Sequence, residues 1–293
     1  MRDPIVWTAL ITPMHEDGSV NYTDLENLIR RQEAAGNGIL LLGSTGEGIS
    51  FSENEKQEIV QFAVSLEPDV PLMAGVGGFR LEEQINWIRF CNSLAIDSFL
   101  LVTPLYSKPA LNGQIHWFKT LMDASEKRCM LYNIPSRSGI KLLPGVLTEL
   151  KEHKNLWAMK EASGSVDDFI FYRETLPGLP LFSGDDALLP DFSDHGCVGL
   201  VSVAANVWPA ATSLYTELCL GGKRAELLPG WKSVIKCLFS APNPTPAKII
   251  LHLKNLISTT TLRPPLSEDD LASYDHLLKA DRDIREWFEN QKK

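Results

Sequence analysis

Short apolar runs alternate with longer stretches of helical period up to about Gly221, and this alternation constrains the fold more than any single motif. Runs at Val6–Ile11, Gly38–Leu42, Leu72–Gly75, Ser98–Val102, Met130–Asn133, Trp157–Lys160, Leu181–Ser183 and Gly199–Val201 read as strands. Between them the spacing predicts helices at Tyr22–Ala35, Glu53–Leu66, Leu81–Leu94, Gly113–Ala124, Leu143–Lys151, Val166–Thr175, Ala187–His195 and Trp208–Leu220. Ser52 ahead of Glu53-Asn54-Glu55 has the form of a capping box. Strand and helix in strict alternation mean parallel strands joined by crossover helices. Eight such pairs fit an α/β fold of the closed (β/α)8 TIM barrel type, with an open doubly wound sheet as the alternative. Gly75-Val76-Gly77-Gly78 follows a strand, but it lacks the glycine spacing and the downstream acidic residue of a dinucleotide site and reads as a tight turn.

Past Gly221 the alternation stops and helical pattern continues through Ala225–Ser240, Ala247–Ser258 and Glu268–Leu278, onward to Phe288. Prolines 242, 244, 246, 264 and 265 punctuate it. The expected organisation is a catalytic barrel over residues 1–222 and a helical extension over 223–293. A net charge of -9 leaves no basic excess to neutralise phosphates, which argues against nucleic acid and anionic membrane as partners and for small-molecule chemistry. No window approaches a membrane span, and Met1-Arg2-Asp3-Pro4 lacks the features of a signal peptide, so a cytoplasmic location is expected. The five scattered cysteines and six dispersed histidines have no metal-ligand spacing and read as reduced thiols and ordinary histidines.

One residue interrupts this pattern. Lys160 stands in Leu156-Trp157-Ala158-Met159-Lys160-Glu161-Ala162-Ser163-Gly164, an apolar strand ending in a small-residue turn. Burial disfavours an ammonium, and a neutral buried amine is a nucleophile for carbonyls. The alternative is a strand-end lysine that carries its head to water. In a barrel the active site forms at the carboxyl ends of the strands. There the second run ends in Gly43-Ser44-Thr45-Gly46-Glu47, which suits a small carboxylate or is simply a hydroxyl-rich turn. The fourth ends near Tyr106, and the fifth in Tyr132-Asn133-Ile134-Pro135-Ser136-Arg137. Linked hydroxyls can pass protons, and an arginine offers a planar fork to a carboxylate. Taken singly, Tyr132 is equally a core residue and Arg137 a surface charge. Asp185-Asp186 reads either as a metal or acid/base pair or as the start of a helix, where negative charge is favourable.

Together, Gly43-Ser44-Thr45-Gly46-Glu47, Tyr132-Asn133-Ile134-Pro135 and Met159-Lys160-Glu161-Ala162-Ser163-Gly164 resemble the lysine-dependent aldolases of the dihydrodipicolinate synthase and N-acetylneuraminate lyase superfamily. The resemblance runs almost the whole chain. It implies a barrel with a carboxyl-terminal helical domain, a homotetramer, and Schiff-base chemistry on pyruvate without metal or cofactor. Ser136-Arg137, Asn243-Pro244-Thr245-Pro246-Ala247-Lys248 and Leu262-Arg263-Pro264-Pro265-Leu266 look like the synthase branch, which condenses pyruvate with aspartate semialdehyde on the route to diaminopimelate and lysine. Carried over by position, Lys160 is the nucleophile and Tyr132 its proton donor and acceptor. Ser44 and Tyr106 complete the relay, Tyr106 being supplied by a neighbouring subunit. Thr45 and the Val201 backbone hold pyruvate, and Arg137 holds the semialdehyde carboxylate.

Two departures stand out. Serine replaces the usual threonine at position 44, keeping the hydroxyl but losing the methyl that restricts its rotamer. The positions that bind inhibitory lysine elsewhere in the family are here Glu53, Lys56, Phe79 and Leu105, which implies weak or absent inhibition. The rival readings are another pyruvate aldolase, acting on a 2-keto-3-deoxy sugar acid or sialic acid, and a non-catalytic metabolite-binding protein.

Overall fold

Each predicted apolar run alternates its side chains between two environments, and closure of the sheet gives both a place to be buried. The computed structural model describes residues 3–292; Met1, Arg2 and Lys293 lie outside the described residues, the first two within the segment read as lacking a signal peptide. The strands are β1 (Val6–Ala9), β2 (Gly38–Leu41), β3 (Leu72–Val76), β4 (Ser98–Val102), β5 (Arg128–Asn133), β6 (Leu156–Glu161), β7 (Leu181–Ser183) and β8 (Gly199–Ser202). They follow one another in parallel around a closed barrel, and β8 returns to β1 through Val6↔Leu200 and Trp7↔Val201. Closure excludes the open doubly wound sheet. β3 runs one residue past the expected Leu72–Gly75 and takes in Val76 from the segment read as a turn.

The barrel interior holds Trp7, Ala9, Leu40, Met73, Leu100, Met130, Ala158 and Phe182, while Ile39, Leu41, Leu101, Leu131, Met159 and Leu200 face outward into a larger core beneath the helices. The amino-terminal mouth is filled by aromatic rings: Trp157 lies edge-on to Trp7 at 6.0 Å and near Phe182 at 5.8 Å, with the Arg128 guanidinium 3.8 Å from its ring centroid. Polar chemistry is thereby confined to the other mouth.

The helices are α1 (Tyr22–Ala34), α2 (Glu53–Ser65), α3 (Leu81–Asn92), α4 (Leu111–Ala124), α5 (Pro135–Ser138), α6 (Pro144–Leu150), α7 (Val166–Thr175), α8 (Leu189–Ser193), α9 (Pro209–Leu220), α10 (Trp231–Ile235), α11 (Thr245–Leu253) and α12 (Asp275–Asn290). The expected capping box opens α2, with Ser52 and Glu55 bonding reciprocally. The carboxyl-terminal expectations needed more correction. Gly230, at a φ of 76°, breaks the predicted Ala225–Ser240 helix into 3-10 turns and the short α10. Leu271 is extended, so Glu268–Asp270 is one 3-10 turn and the final helix begins only at Asp275. The helix predicted from Ala187 starts at Leu189, after a turn in which the Asp185 carboxylate accepts the Ala187 and Leu188 amides.

Asn206 completes the β8–β1 closure. Its Oδ1 accepts the Ile11 amide at 2.9 Å, and its Nδ2 donates to the Ala9 and Val203 carbonyls at 2.8 and 2.9 Å, with the side chain fully buried. Asn206→Ala removes the acceptor of the buried Ile11 amide and the side-chain donor to the Ala9 carbonyl, while the Val203 carbonyl keeps the residue 206 amide at 3.1 Å. The loss is expected to cost roughly 2 kcal/mol, read as a lowered urea midpoint with an unchanged far-UV spectrum.

Candidate active site

A one-residue irregularity sets the geometry at the open mouth. Along β5 and β6 the pairing runs Cys129↔Leu156, then skips to Met130↔Ala158, so Trp157 is the extra residue. Both Trp157 and Ala158 consequently contribute to the barrel interior. Beyond the bulge, Tyr132 pairs with Lys160, and neighbouring residues in parallel register project to the same side. Without the extra residue Tyr132 would pair with Met159. Lys160 is 5% exposed, and its Nζ lies 4.2 Å from the centroid of the Tyr132 ring.

The next pair points the other way. Asn133 Nδ2 donates to Glu161 Oε2 at 2.7 Å, Glu161 Oε1 accepts the Ser163 amide at 2.6 Å, and Asn133 Oδ1 accepts the Leu142 amide at 2.9 Å. This network pins the strand ends immediately behind Tyr132 and Lys160. Burial pushes the Glu161 carboxyl above its ordinary range, while the bonds from Ser163 and Asn133 act against that rise.

A cavity of about 970 Å³ opens at this mouth, and Ser44, Tyr106, Tyr132 and Arg137 all border it. Ser44 is half-buried in the loop after β2. Arg137, in α5, donates from Nη2 to the Asn243 carbonyl at 3.3 Å. Tyr106 lies on the loop after β4 and is 85% exposed. That loop is strained, with Tyr106 at a φ of 66° and Lys108 at 48°, and the Tyr106 amide is tied to the Ser138 carbonyl at 3.3 Å. Lys160, Thr45 and Val201 lie outside the cavity lining. Thr45 is 4% exposed and accepts a bond from Asn243 Nδ2 at 2.9 Å, which leaves its own hydroxyl proton free to be donated. Val201 is buried on β8 beside Trp7. Lys56, Phe79 and Leu105 border the outer part of the cavity.

The paired aspartates separate. Asp185 caps the turn into α8, as the helix-start reading has it. Asp186 is wholly buried, accepting from the Ser202 hydroxyl and, at 2.9 Å, from the Val203 amide. Burial pushes its pKa up to about 6 despite those two donors, so it braces the end of β8. Among the described residues no group of three or more His, Cys, Asp or Glu side chains could hold a metal ion.

The model of the dihydrodipicolinate synthetase family matches residues 5–282. The chain belongs to this family. A 4-hydroxy-tetrahydrodipicolinate synthase of Francisella tularensis subsp. novicida is 46% identical over 97% of this chain and 96% of its own length. Among solved structures, the 4-hydroxy-tetrahydrodipicolinate synthase of Methylacidiphilum fumariolicum superposes with a TM-score of 0.91 at 31% identity, covering 99% of this chain and 98% of that one. The dihydrodipicolinate synthase of Acinetobacter baumannii, solved in complex with pyruvate, gives 0.88 at 28% identity, covering 98% and 99%.

Within this family fold, two contributors to the site stand in the sequence only within a segment that resembles the synthase branch, with no site role of their own. Asn243 reaches Thr45 and Arg137 from a segment remote in sequence, and Lys248 forms a buried ion pair with Glu47 at 2.6 Å. The signal for Lys248 was present: a lysine inside the apolar stretch of α11 poses the same question as Lys160. Space around Lys160 is equally defined, since a Cβ on Gly184 would lie 2.7 Å from Lys160 Cε and 2.6 Å from Ala162 Cβ. Gly184→Ala must displace the amine. A displacement near 1 Å is expected to slow adduct formation with pyruvate by about 100-fold in protein with an unchanged far-UV spectrum, timed by borohydride quench and intact mass.

Proposed function

We propose that the chain condenses pyruvate with L-aspartate 4-semialdehyde through a Schiff base on Lys160, giving 4-hydroxy-tetrahydrodipicolinate for diaminopimelate and lysine biosynthesis. The observation that carries this reading is the buried Lys160 amine over the Tyr132 ring at the carboxyl-terminal mouth of the barrel, beside a cavity bordered by Ser44 and Arg137. Relatives named for this reaction support it over the sugar-acid aldolases and over a binding protein without turnover. No metal or organic cofactor enters any step.

Unprotonated Lys160 attacks the pyruvate ketone, and a proton relayed through Tyr132 lets the carbinolamine oxygen leave as water. The resulting protonated imine withdraws electrons from the methyl carbon, which gives up a proton and becomes a nucleophilic enamine. The Tyr132 ring face, 4.2 Å from Nζ, favours the cationic imine. Thr45 and the Val201 backbone hold the pyruvate carboxylate in this reading. The enamine carbon then attacks the semialdehyde carbonyl while Arg137 holds that substrate's carboxylate. Finally the substrate amine attacks the imine carbon, Lys160 leaves, and the ring closes; one water is released overall. Ser44 and Tyr106 carry protons between Tyr132 and solvent.

Residues 1–222 act as the catalytic barrel and 223–293 as a helical domain covering part of its rim. The assembly is a homotetramer whose subunits complete each other's sites through Tyr106. Its 85% exposure, beside Ile49 at 68% and Phe79 at 65% on the same cavity, gives an apolar patch suited to a second copy. The cysteines are free and buried, in keeping with the reducing cytoplasm.

Borohydride reduction with pyruvate is expected to leave one adduct, on Lys160, in both the wild type and Arg137→Ala. Turnover of the semialdehyde in Arg137→Ala should fall by about 100-fold or more, as when one partner of a charge pair is truncated. No adduct in the wild type defeats the Schiff-base mechanism, and undiminished turnover in the variant defeats the acceptor assignment. Tyr106→Phe and Lys160→Ala should each be inactive alone. Reassembled together they should recover roughly a quarter of wild-type activity, because random pairing makes half the dimers mixed, each with one intact site; no recovery places Tyr106 in its own subunit's site.

A further inference from the structure

Glu47 ends the Gly43-Ser44-Thr45-Gly46-Glu47 loop with a left-handed φ of 55°, which a residue bearing a side chain holds only when its surroundings fix it. Its carboxylate is almost wholly buried. Oε1 lies 2.6 Å from Lys248 Nζ, with both side chains 1% exposed, and Oε2 accepts the Arg263 amide at 2.8 Å. Lys248 Nζ also donates to the Thr261 carbonyl at 2.7 Å, and the Arg263 guanidinium donates to the Gly18 carbonyl at 2.8 Å. Within the loop the Gly46 carbonyl is bound by the Thr12 hydroxyl at 2.8 Å, and Thr45 by Asn243. The loop after β2 is thus held at three consecutive residues, two of them by the chain between 243 and 263.

A buried ion pair gains little net stability over an apolar pair, since desolvating both charges offsets most of their attraction. What it supplies is direction: a carboxylate with two fixed donors admits one placement of the backbone that carries it. We infer that Glu47 and Lys248 are positioning residues for the pyruvate subsite, holding the loop so that the Thr45 hydroxyl meets the carboxylate of the keto acid bound to Lys160. The inference rests on the aldolase reading above. It assigns the carboxyl-terminal segment a part in recognising pyruvate, at a distance from the reacting atoms and without touching the substrate.

The test separates stability from pyruvate affinity in the full-length chain. Lys248→Met leaves the Glu47 carboxylate buried without a cation, whereas Glu47→Gln with Lys248→Met removes both charges. The double variant should regain most of the Tm lost in the single one, because no buried charge is left unpaired. Both should nevertheless need about tenfold more pyruvate for half-maximal borohydride-trapped adduct on Lys160, with the KM for semialdehyde changed by less than about twofold. A pair that is only structural makes the two readouts move together. A double variant with restored Tm and wild-type pyruvate half-saturation overturns the inference, and so does a folded but less stable Lys248→Met with unaltered half-saturation. If Lys248→Met does not fold, the double variant decides alone. The wild type, titrated in parallel, must itself form the adduct; its failure removes the aldolase reading, a result distinct from any change confined to the variants.

Discussion

The register between β5 and β6 is the constraint on which the site depends. Parallel strands place paired residues on the same face, so the partner of Tyr132 is decided at the far end of the strand, where Trp157 is inserted against Cys129 and Met130. That extra residue serves two ends of the barrel. At the closed mouth it delivers the Trp157 ring between Trp7, Phe182 and Arg128. At the open mouth it sets Lys160 beside Tyr132, and the alternation of a strand then turns Asn133 and Glu161 outward, where they bond to each other. A slip of one residue would trade a lysine for a methionine inside the barrel and bury a lysine among the apolar side chains beneath the helices.

Two buried lysines show how the environment divides structure from chemistry. Lys248 is sealed at 1% exposure with a carboxylate at 2.6 Å and a carbonyl at 2.7 Å, so its head is held in place, and burial lowers its pKa against the opposing pull of Glu47. Lys160 is almost as buried, yet its neighbour of opposite polarity is the face of an aromatic ring, which attracts a cation without binding it in place. A lysine fixed by a carboxylate cannot approach a ketone; a lysine resting on a ring can rotate to do so.

How much of this was legible in the sequence follows from the range of the interactions involved. The strands and the crossover helices were legible because each is written locally, as apolar runs and helical spacing. Lys160 was legible because charge inside an apolar run is anomalous wherever it folds. The bulge was not, since an inserted tryptophan differs in no local way from a strand residue. The carboxyl-terminal helices were misjudged for a related reason: Gly230 and Leu271 break a pattern whose charged and apolar spacing otherwise continues. Thr45 was legible as a hydroxyl near a carboxylate site, but its engagement by Asn243, 198 positions away, is a tertiary fact.

That distance bears on how the chain can be divided. The helices after α9 read as an appendage, because they follow a completed barrel and repeat none of its pattern. Their contacts argue otherwise. Asn243 donates to the Thr45 hydroxyl and its carbonyl accepts from Arg137 Nη2, while the buried ion pair and the Arg263 amide hold Glu47. A barrel ending at α9 would lose the Trp231 ring stacked on Tyr215 and the indole bond to the Asp186 carbonyl. It would also expose the Glu47 carboxylate to solvent, removing the donors that hold a left-handed residue in the loop. The nucleophile and its ring neighbour are thus carried by two adjacent strands, whereas the loop that bears Thr45 and Glu47 takes its fixed donors from the last part of the chain.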